Sequence, residues 1–197
     1  GQSCCAVERI YVHEKIYDAF VAAYSAQCSK LKVGDPLDGE TGIGPLSRKE
    51  QQTFLHYQVA DAVKLGATIL CGGKIVPGKG YYFEPTVLVN VNHEMKLMTE
   101  ESFGPVVGIQ KVKNDEEAIQ LMKDTVYGLT SAVYSTSFER AEEVMKQMDS
   151  GTVYWNCCDR VSASLPWSGR NYSGLGITLS YQGIRAFVQP KAYHIRG

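Results

Sequence analysis

From Arg9 to Asn156 the sequence alternates short apolar runs with longer stretches whose apolar residues recur every three or four positions. That alternation leaves few folds open. The short runs Arg9–Val12, Thr68–Cys71, Pro85–Val89, Val106–Ile109, Ser131–Tyr134 and Gly151–Asn156 read as strands. Between them, Glu14 to Leu31 places Ile16, Ala19, Phe20, Ala23 and Tyr24 at helical spacing. Ser47 with Glu50 three residues on reads as a capping box for a helix that runs to Leu65, with Gly66 at its C′ position. Asp115 is the expected cap of a helix through Met122, and Phe138 to Met148 reads as another. Thr68–Cys71 is expected to be a buried strand, and Ile75 to Tyr82 to be turn. Strands that alternate with helices in this way predict an α/β fold, a mostly parallel sheet flanked by helices. Such sheets tend to place functional residues beyond the carboxyl ends of their strands, where Asn156 falls. After Pro166 the chain is rich in Gly and Ser. Tyr181–Phe187 is expected to be helical, and Ala192–Ile195 to be a last strand, either an arm that pairs with another sheet or a frayed end.

Composition narrows the partners. The net charge is −1 over 197 residues, with no block of Lys or Arg and no aromatics interleaved with basic residues, which argues against nucleic acid. No apolar run is long enough to span a bilayer, and no basic segment leads into an apolar one at the start, so neither a membrane span nor a signal peptide is expected. The six cysteines, at 4, 5, 28, 71, 157 and 158, include two adjacent pairs. That spacing suits neither a disulfide framework nor zinc. His13, His56, His93 and His194 are scattered, and no metal site is expected. Reduced thiols in a cytoplasmic or organellar compartment are the default.

Gly1-Gln2-Ser3-Cys4-Cys5 sets a thiol where a turn meets the Arg9–Val12 strand. Backbone N–H groups at such a junction can lower a thiol pKa and stabilise negative charge, which makes a place for a nucleophile. Taken by itself, a free cysteine is more often an inert, buried small hydrophobe than a catalyst.

Three segments bear on that choice: GQSCC followed by Arg9-Ile10; Thr99-Glu100-Glu101-Ser102-Phe103-Gly104-Pro105-Val106; and Gly151-Thr152-Val153-Tyr154-Trp155-Asn156, with Pro166-Trp167-Ser168-Gly169 and Ser173-Gly174-Leu175-Gly176 behind it. In order and spacing they resemble the aldehyde dehydrogenase superfamily, and the similarity runs along the whole chain. The resemblance implies that Cys4 is the nucleophile, which attacks an aldehyde and passes through a thiohemiacetal and a thioester to a carboxylic acid. It implies that the Cys4 N–H is half of an oxyanion hole and that Glu101 takes hydrogen bonds from a ribose of NAD or NADP while Phe103 packs beside the nicotinamide. Asn156 would support the active site by ordering the loops around the thiol. Ser3, Cys5, Asp159, Val161 and Trp167 would line the substrate pocket, Trp167 standing where Phe is commoner, a variant reminiscent of betaine-aldehyde-type members.

Family members are much longer, and no GxGxxG loop is present, so the chain reads as the C-terminal catalytic domain without the Rossmann half. The expected division is a thiol-bearing domain over 1–176 and an oligomerisation tail over 177–197, giving a homo-oligomer. Ser168, where Gly is usual, and Ile177-Thr178-Leu179, where a charged segment is usual, depart from the pattern. The alternatives to a catalytic domain are a catalytically silent assembly or binding module on the same scaffold and a redox sensor built on the vicinal cysteines.

Overall fold

The structure is a computed structural model that describes residues 1–197. The chain forms two compact units, Gly1–Met122 and Lys123–Gly197, so the boundary expected at 176/177 lies inside the second unit.

In the first unit, β1 (Arg9–His13) runs straight into α1 (Glu14–Cys28), where His13 Nδ1 accepts the Lys15 N–H at 3.2 Å. α2 (Lys49–Lys64) follows, with Arg48 at the N-cap and no side-chain cap. The capping box expected of Ser47 and Glu50 is not formed. Ser47 instead gives both its N–H (3.0 Å) and its Oγ (3.2 Å) to Gln2 Oε1. Gly66 closes α2 as expected, at φ 104°. Next come β2 (Thr68–Cys71), β3 (Ile75–Val76), β4 (Tyr82–Phe83), β5 (Thr86–Val89) and β6 (Val106–Val112). β3 and β4 pair as a small antiparallel ladder inside the segment expected to be turn. α3 (Asp115–Lys123) is capped by Asn114, whose Oδ1 accepts the Glu117 N–H at 2.9 Å; Asp115 is the first helical residue and not the cap.

The sheet order is β1-β6-β5-β2. β1/β6 and β5/β6 are parallel, and β2 pairs antiparallel with β5. Alternation along β5 and β6 supplies two cores. On one face Leu88 and Val106 pack with Leu55, Val59 and Ala62 of α2 and with Met95, Leu97 and Met98. On the other, Val87, Val89, Val107 and Ile109 pack with Tyr17, Phe20 and Tyr24 of α1. Covered on both sides, β5 is buried at every residue, as its unbroken apolar run requires. β2 was expected to be buried as well. It is an edge strand with one neighbour, and most of it is exposed.

Residues 90–105 link parallel neighbours β5 and β6. Within this crossover a short 3₁₀ turn (Lys96–Met98) seats Leu97 and Met98 directly on Gly108 of β6. A Cβ at 108 would lie 2.5 Å from Met98 Sδ and 2.8 Å from Leu97 Cδ1, so the crossover sits this close because the strand carries no side chain there.

In the second unit, β7 (Thr130–Val133) pairs in parallel with β8 (Thr152–Trp155), joined through α4 (Phe138–Met145). Ser137 Oγ caps α4 by accepting the Arg140 N–H at 3.2 Å. β9 (Trp167–Ser168) and β10 (Ile177–Thr178) pair antiparallel, and α5 (Ser180–Arg185) follows, starting one residue before and ending two residues short of the helix expected over Tyr181–Phe187. Ala192–Ile195 is not a strand. It has no regular structure and is exposed, and a strand exists only by pairing with an edge, which this segment does not find within the chain.

Two outcomes follow from this packing. Leu55 is completely buried beneath the crossover, so Leu55→Ala should lower unfolding stability by about 2–5 kcal/mol in a denaturant titration. Burial, with Cys71 beside it, pushes the Cys28 thiol up to about 12. Its thiolate fraction at pH 8 is then on the order of 10⁻⁴, and peptide mapping after iodoacetamide should find Cys28 among the last cysteines modified.

Candidate active site

Two loops meet at the amino ends of β1 and β6. Because these strands run parallel, with Arg9 opposite Gly108, the segment that precedes each one leaves the same end of the sheet. One is Gly1–Glu8, which carries Cys4. The other is Glu100–Pro105, which carries Glu101 and Phe103. The candidate residues of this unit therefore lie at the amino ends of its strands, not at the carboxyl ends where doubly wound sheets usually hold functional groups.

Close backbone approach joins the loops. A Cβ on Gly1 would lie 1.9 Å from the Gly104 carbonyl oxygen, and one on Gly104 would lie 2.5 Å from Leu55 Cδ1. Only glycine at both positions lets the thiol turn rest on the second loop and that loop rest on α2. Gln2 then ties the thiol turn to the entry of α2, donating to the Pro45 carbonyl at 3.1 Å and accepting from Ser47.

The turn itself is closed by the Ala6 N–H on the Ser3 carbonyl at 3.0 Å. It divides the vicinal cysteines. Cys4 is exposed, whereas Cys5 is buried at 6% exposure, with Ser3 Oγ 3.2 Å from its sulfur. The Cys4 N–H makes no hydrogen bond within the chain. All six cysteines are free thiols.

Glu8 joins the loops most directly, and the sequence reading passed over it. Its Oε2 accepts the Ser102 N–H at 2.9 Å and its Oε1 the Phe103 N–H at 3.1 Å. Burial raises the Glu8 carboxyl above the ordinary carboxylate value. The two N–H donors pull the other way, and the charge of Glu101 adds to the rise. With its folded value raised, Glu8 stabilises the fold fully only below its unfolded pKa, and this contribution is lost as pH climbs through the folded value. At neutral pH the clamp is therefore held against a desolvation penalty. On the far side of the same turn, Gln51 Nε2 donates to the Ser102 carbonyl while Gln51 Oε1 accepts from Arg48 Nη2 at 3.3 Å. Gripped from both sides, Phe103 adopts φ 47°, a left-handed conformation uncommon for a bulky residue.

Glu101 and Phe103 are both exposed, on either side of the buried Ser102. Phe103 lines a cleft of about 160 Å³ together with Gln2, Ser47, Arg48 and Gln51. Sequence signals for the residues missed were slight. Gln51 and Gln52 occupy buried positions of α2, where helical periodicity calls for apolar side chains, and such polar intruders mark a hydrogen-bonding face. Glu8, directly before an apolar strand, belongs to no motif that would single it out.

The remaining candidates belong to the second unit. Asn156 ends β8 at φ 52°, and its amide is fully engaged by one residue: Oδ1 accepts the Ser135 N–H at 2.9 Å and Nδ2 donates to the Ser135 carbonyl at 3.0 Å. Trp155 Nε1 shares that carbonyl at 3.1 Å. Asp159, at φ 51°, and Val161 are exposed on the loop after β8, and Tyr154 Oη donates to the Arg160 carbonyl within it. The Tyr134 hydroxyl, hydrogen-bonded to Cys158, is raised to about 12 chiefly by that bond. Trp167 is half-buried in β9, opposite Thr178.

Comparison with known proteins fits this arrangement. The sequence model of the aldehyde dehydrogenase family matches residues 1–193. An aldehyde dehydrogenase of Paenarthrobacter nicotinovorans is 39% identical over 191 residues, 97% of this chain and 42% of that protein. Succinate-semialdehyde dehydrogenase (NADP+) 1 of Mycobacterium ulcerans is 38% identical over 191 residues, again 97% of this chain and 42% of that protein. Betaine aldehyde dehydrogenase of Staphylococcus aureus, solved in complex with NAD+, superimposes with a TM-score of 0.90 at 36% identity, over 94% of this chain and 38% of that one. The chain thus spans about two fifths of the length of the curated relatives it matches. With the family's motifs in register and the fold shared at this level of identity, the chain belongs to the aldehyde dehydrogenase family.

Proposed function

We propose that this chain carries the thiol chemistry of an NAD(P)-dependent aldehyde dehydrogenase, with Cys4 as the nucleophile. The supporting observation is the seating of an exposed thiol, its own N–H uncommitted, against a loop that presents a carboxylate and an aromatic ring to solvent. Cys4 Sγ, as thiolate, adds to the aldehyde carbon and leaves a tetrahedral alkoxide on the sulfur. The Cys4 N–H would donate to that oxygen, and one such donor is worth about 10²–10³ in rate. Loss of hydride turns the adduct into a thioester, and water then releases the acid and restores the thiol. NAD or NADP, when bound, supplies the hydride acceptor. Glu101 and Phe103 would hold it: an exposed carboxylate offers two acceptors and no donor to a ribose diol, and an exposed ring beside a cleft offers an apolar wall to a flat heterocycle. The relatives include enzymes named for NADP+ and solved with NAD+, in keeping with either cofactor.

Ser3 and Cys5 flank the nucleophile, and the buried Cys5 supports the turn from beneath. In the second unit, Asn156 acts as a positioning residue, since both ends of its amide are spent on Ser135. Asp159 and Val161 are open to a substrate, and half-buried Trp167 would offer one an aromatic face; on a cationic aldehyde that contact would be cation–π.

A second reading, self-association, is favoured by the second unit, which exposes Leu175 at 91%, Phe187 at 88% and Ile195 at 86%. Apolar surface on this scale seeks a partner, and the unpaired Ala192–Ile195 segment is suited to a strand of another copy.

Three outcomes test these proposals. Iodoacetamide near pH 7 should label Cys4 before Cys5, Cys28 and Cys71, and Cys4→Ser should abolish an aldehyde-derived adduct in intact-mass spectra; equal labelling of all cysteines would refute the nucleophile. The chain by itself should oxidise aldehyde far more slowly than a relative of full length, and a turnover assay that finds comparable rates would overturn this. Light scattering should show an oligomer, and a monomer at high concentration would dispose of the assembly surface.

A further inference from the structure

We infer that Glu8 is a positioning residue whose carboxylate fixes the Glu101–Phe103 turn against the thiol turn, so that the nucleophile and the cofactor-binding side chains are set by one clamp. The inference rests on the function proposed above for Glu101 and Phe103, and it concerns how they are held.

Both oxygens of Glu8 are used on two consecutive backbone N–H groups, Ser102 at 2.9 Å and Phe103 at 3.1 Å. Two consecutive N–H groups converge on one carboxylate only when the peptide between them is turned, and here the turn holds Phe103 at φ 47°. A non-glycine residue in that region persists when its surroundings over-determine it. The surroundings are Glu8 on the N–H side and Gln51 on the carbonyl side. Between them they dictate where Glu101 and Phe103 project.

Glu8 lies four positions after Cys4 and immediately before β1, so its own position is fixed by the sheet. Arg9, the next residue, makes a second tie to the same crossover, with Nη1 donating to the Met98 carbonyl at 3.1 Å. Any shift of the thiol turn is thus transmitted to the turn that carries Glu101.

The rest of the crossover does not need Glu8. Leu97 and Met98 are seated on Gly108, and the Thr86 N–H donates to the Pro105 carbonyl at 2.8 Å. Removing the carboxylate should therefore loosen the three-residue turn and spare the fold. Placing Glu8 beside Glu101 also sets two carboxylates against each other, an unfavourable arrangement if packing were its only purpose.

The test compares wild-type chain with Glu8→Ala and Glu8→Gln by amide hydrogen exchange, resolved at single residues by NMR. Ala should speed exchange at Ser102 and Phe103 by roughly tenfold or more, the equivalent of one charge-assisted hydrogen bond, while Leu88 and Ile109 stay protected. Gln, with one acceptor and one donor group, should release one N–H and keep the other. Unchanged exchange at Ser102 and Phe103 in both variants overturns the inference, as does loss of protection throughout the sheet. In turnover assays with NAD+, Ala should raise KM for NAD+ by about tenfold, while the iodoacetamide rate at Cys4 stays within about twofold. An unchanged KM beside measurable wild-type turnover counts against Glu8. Absence of an aldehyde-derived adduct at wild-type Cys4 counts against the proposed function, and the exchange experiment still decides the clamp.

Discussion

The parallel pairing of β1 with β6 is the constraint on which the site depends. Its register, Arg9 opposite Gly108, is set where both faces of the sheet are buried, and slipping it by one residue would turn Val107 and Ile109 away from α1 and into the α2 core. With the register fixed, the lengths of chain before each strand determine what meets at the sheet's amino end. Cys4 stands five residues before Arg9 and Phe103 three before Val106. Glycines at 1, 104 and 108 then allow the three layers, thiol turn, crossover and sheet or helix, to approach at backbone distance. A side chain at 1 would push the two loops apart, and one at 104 would press the second loop off Leu55 of α2.

Apolar packing brings the loops together, and a small polar set orients them. Glu8, Gln2 and Gln51 each bond to backbone on a segment distant in sequence. A buried charge is retained only with its partners in place, because an unpaired one is far more costly than a paired one. A net hydrogen bond contributes about 1 kcal/mol, little beside the burial of Leu55, Leu88 and Ile109, yet it is directional where dispersion is not. The division of labour is plain: hydrocarbon supplies stability, and the amides and the carboxylate supply geometry.

Much of the architecture could be read from the sequence, because strands and helices in this chain follow their hydrophobic periods. The parallel sheet and four of the five helices lie where those periods put them, and the remaining one, α5, overlaps the span expected with its bounds shifted by one or two residues. What escaped was set by long-range contacts. Ser47 looks like a helix cap, but Gln2, far away in sequence, claims its hydroxyl and its N–H. Thr68–Cys71 has the composition of a buried strand, yet its place at the sheet edge exposes it, and edge position belongs to topology. Ala192–Ile195 has strand composition and no edge to join. For the site, Cys4, Glu101 and Phe103 were visible as residues because their motifs are contiguous. Glu8 was not, since its role exists only once Ser102 and Phe103 are folded beside it.

The contrast among the thiols follows from the same geometry. Cys4 and Cys5 are neighbours in sequence, but the turn closed by Ala6 on Ser3 sends one to solvent and the other into the interior. Cys28, packed with Cys71 against the α1 face of the sheet, is held protonated by burial. A nucleophile needs access for an electrophile and a donor for the charge that develops on it. Cys4 is exposed and its N–H makes no hydrogen bond within the chain, and both follow from the turn that the chain makes before it enters the sheet. The nucleophile proposed at position 4 therefore draws on a backbone property of the strand entry, whereas Cys5 is buried in the packing.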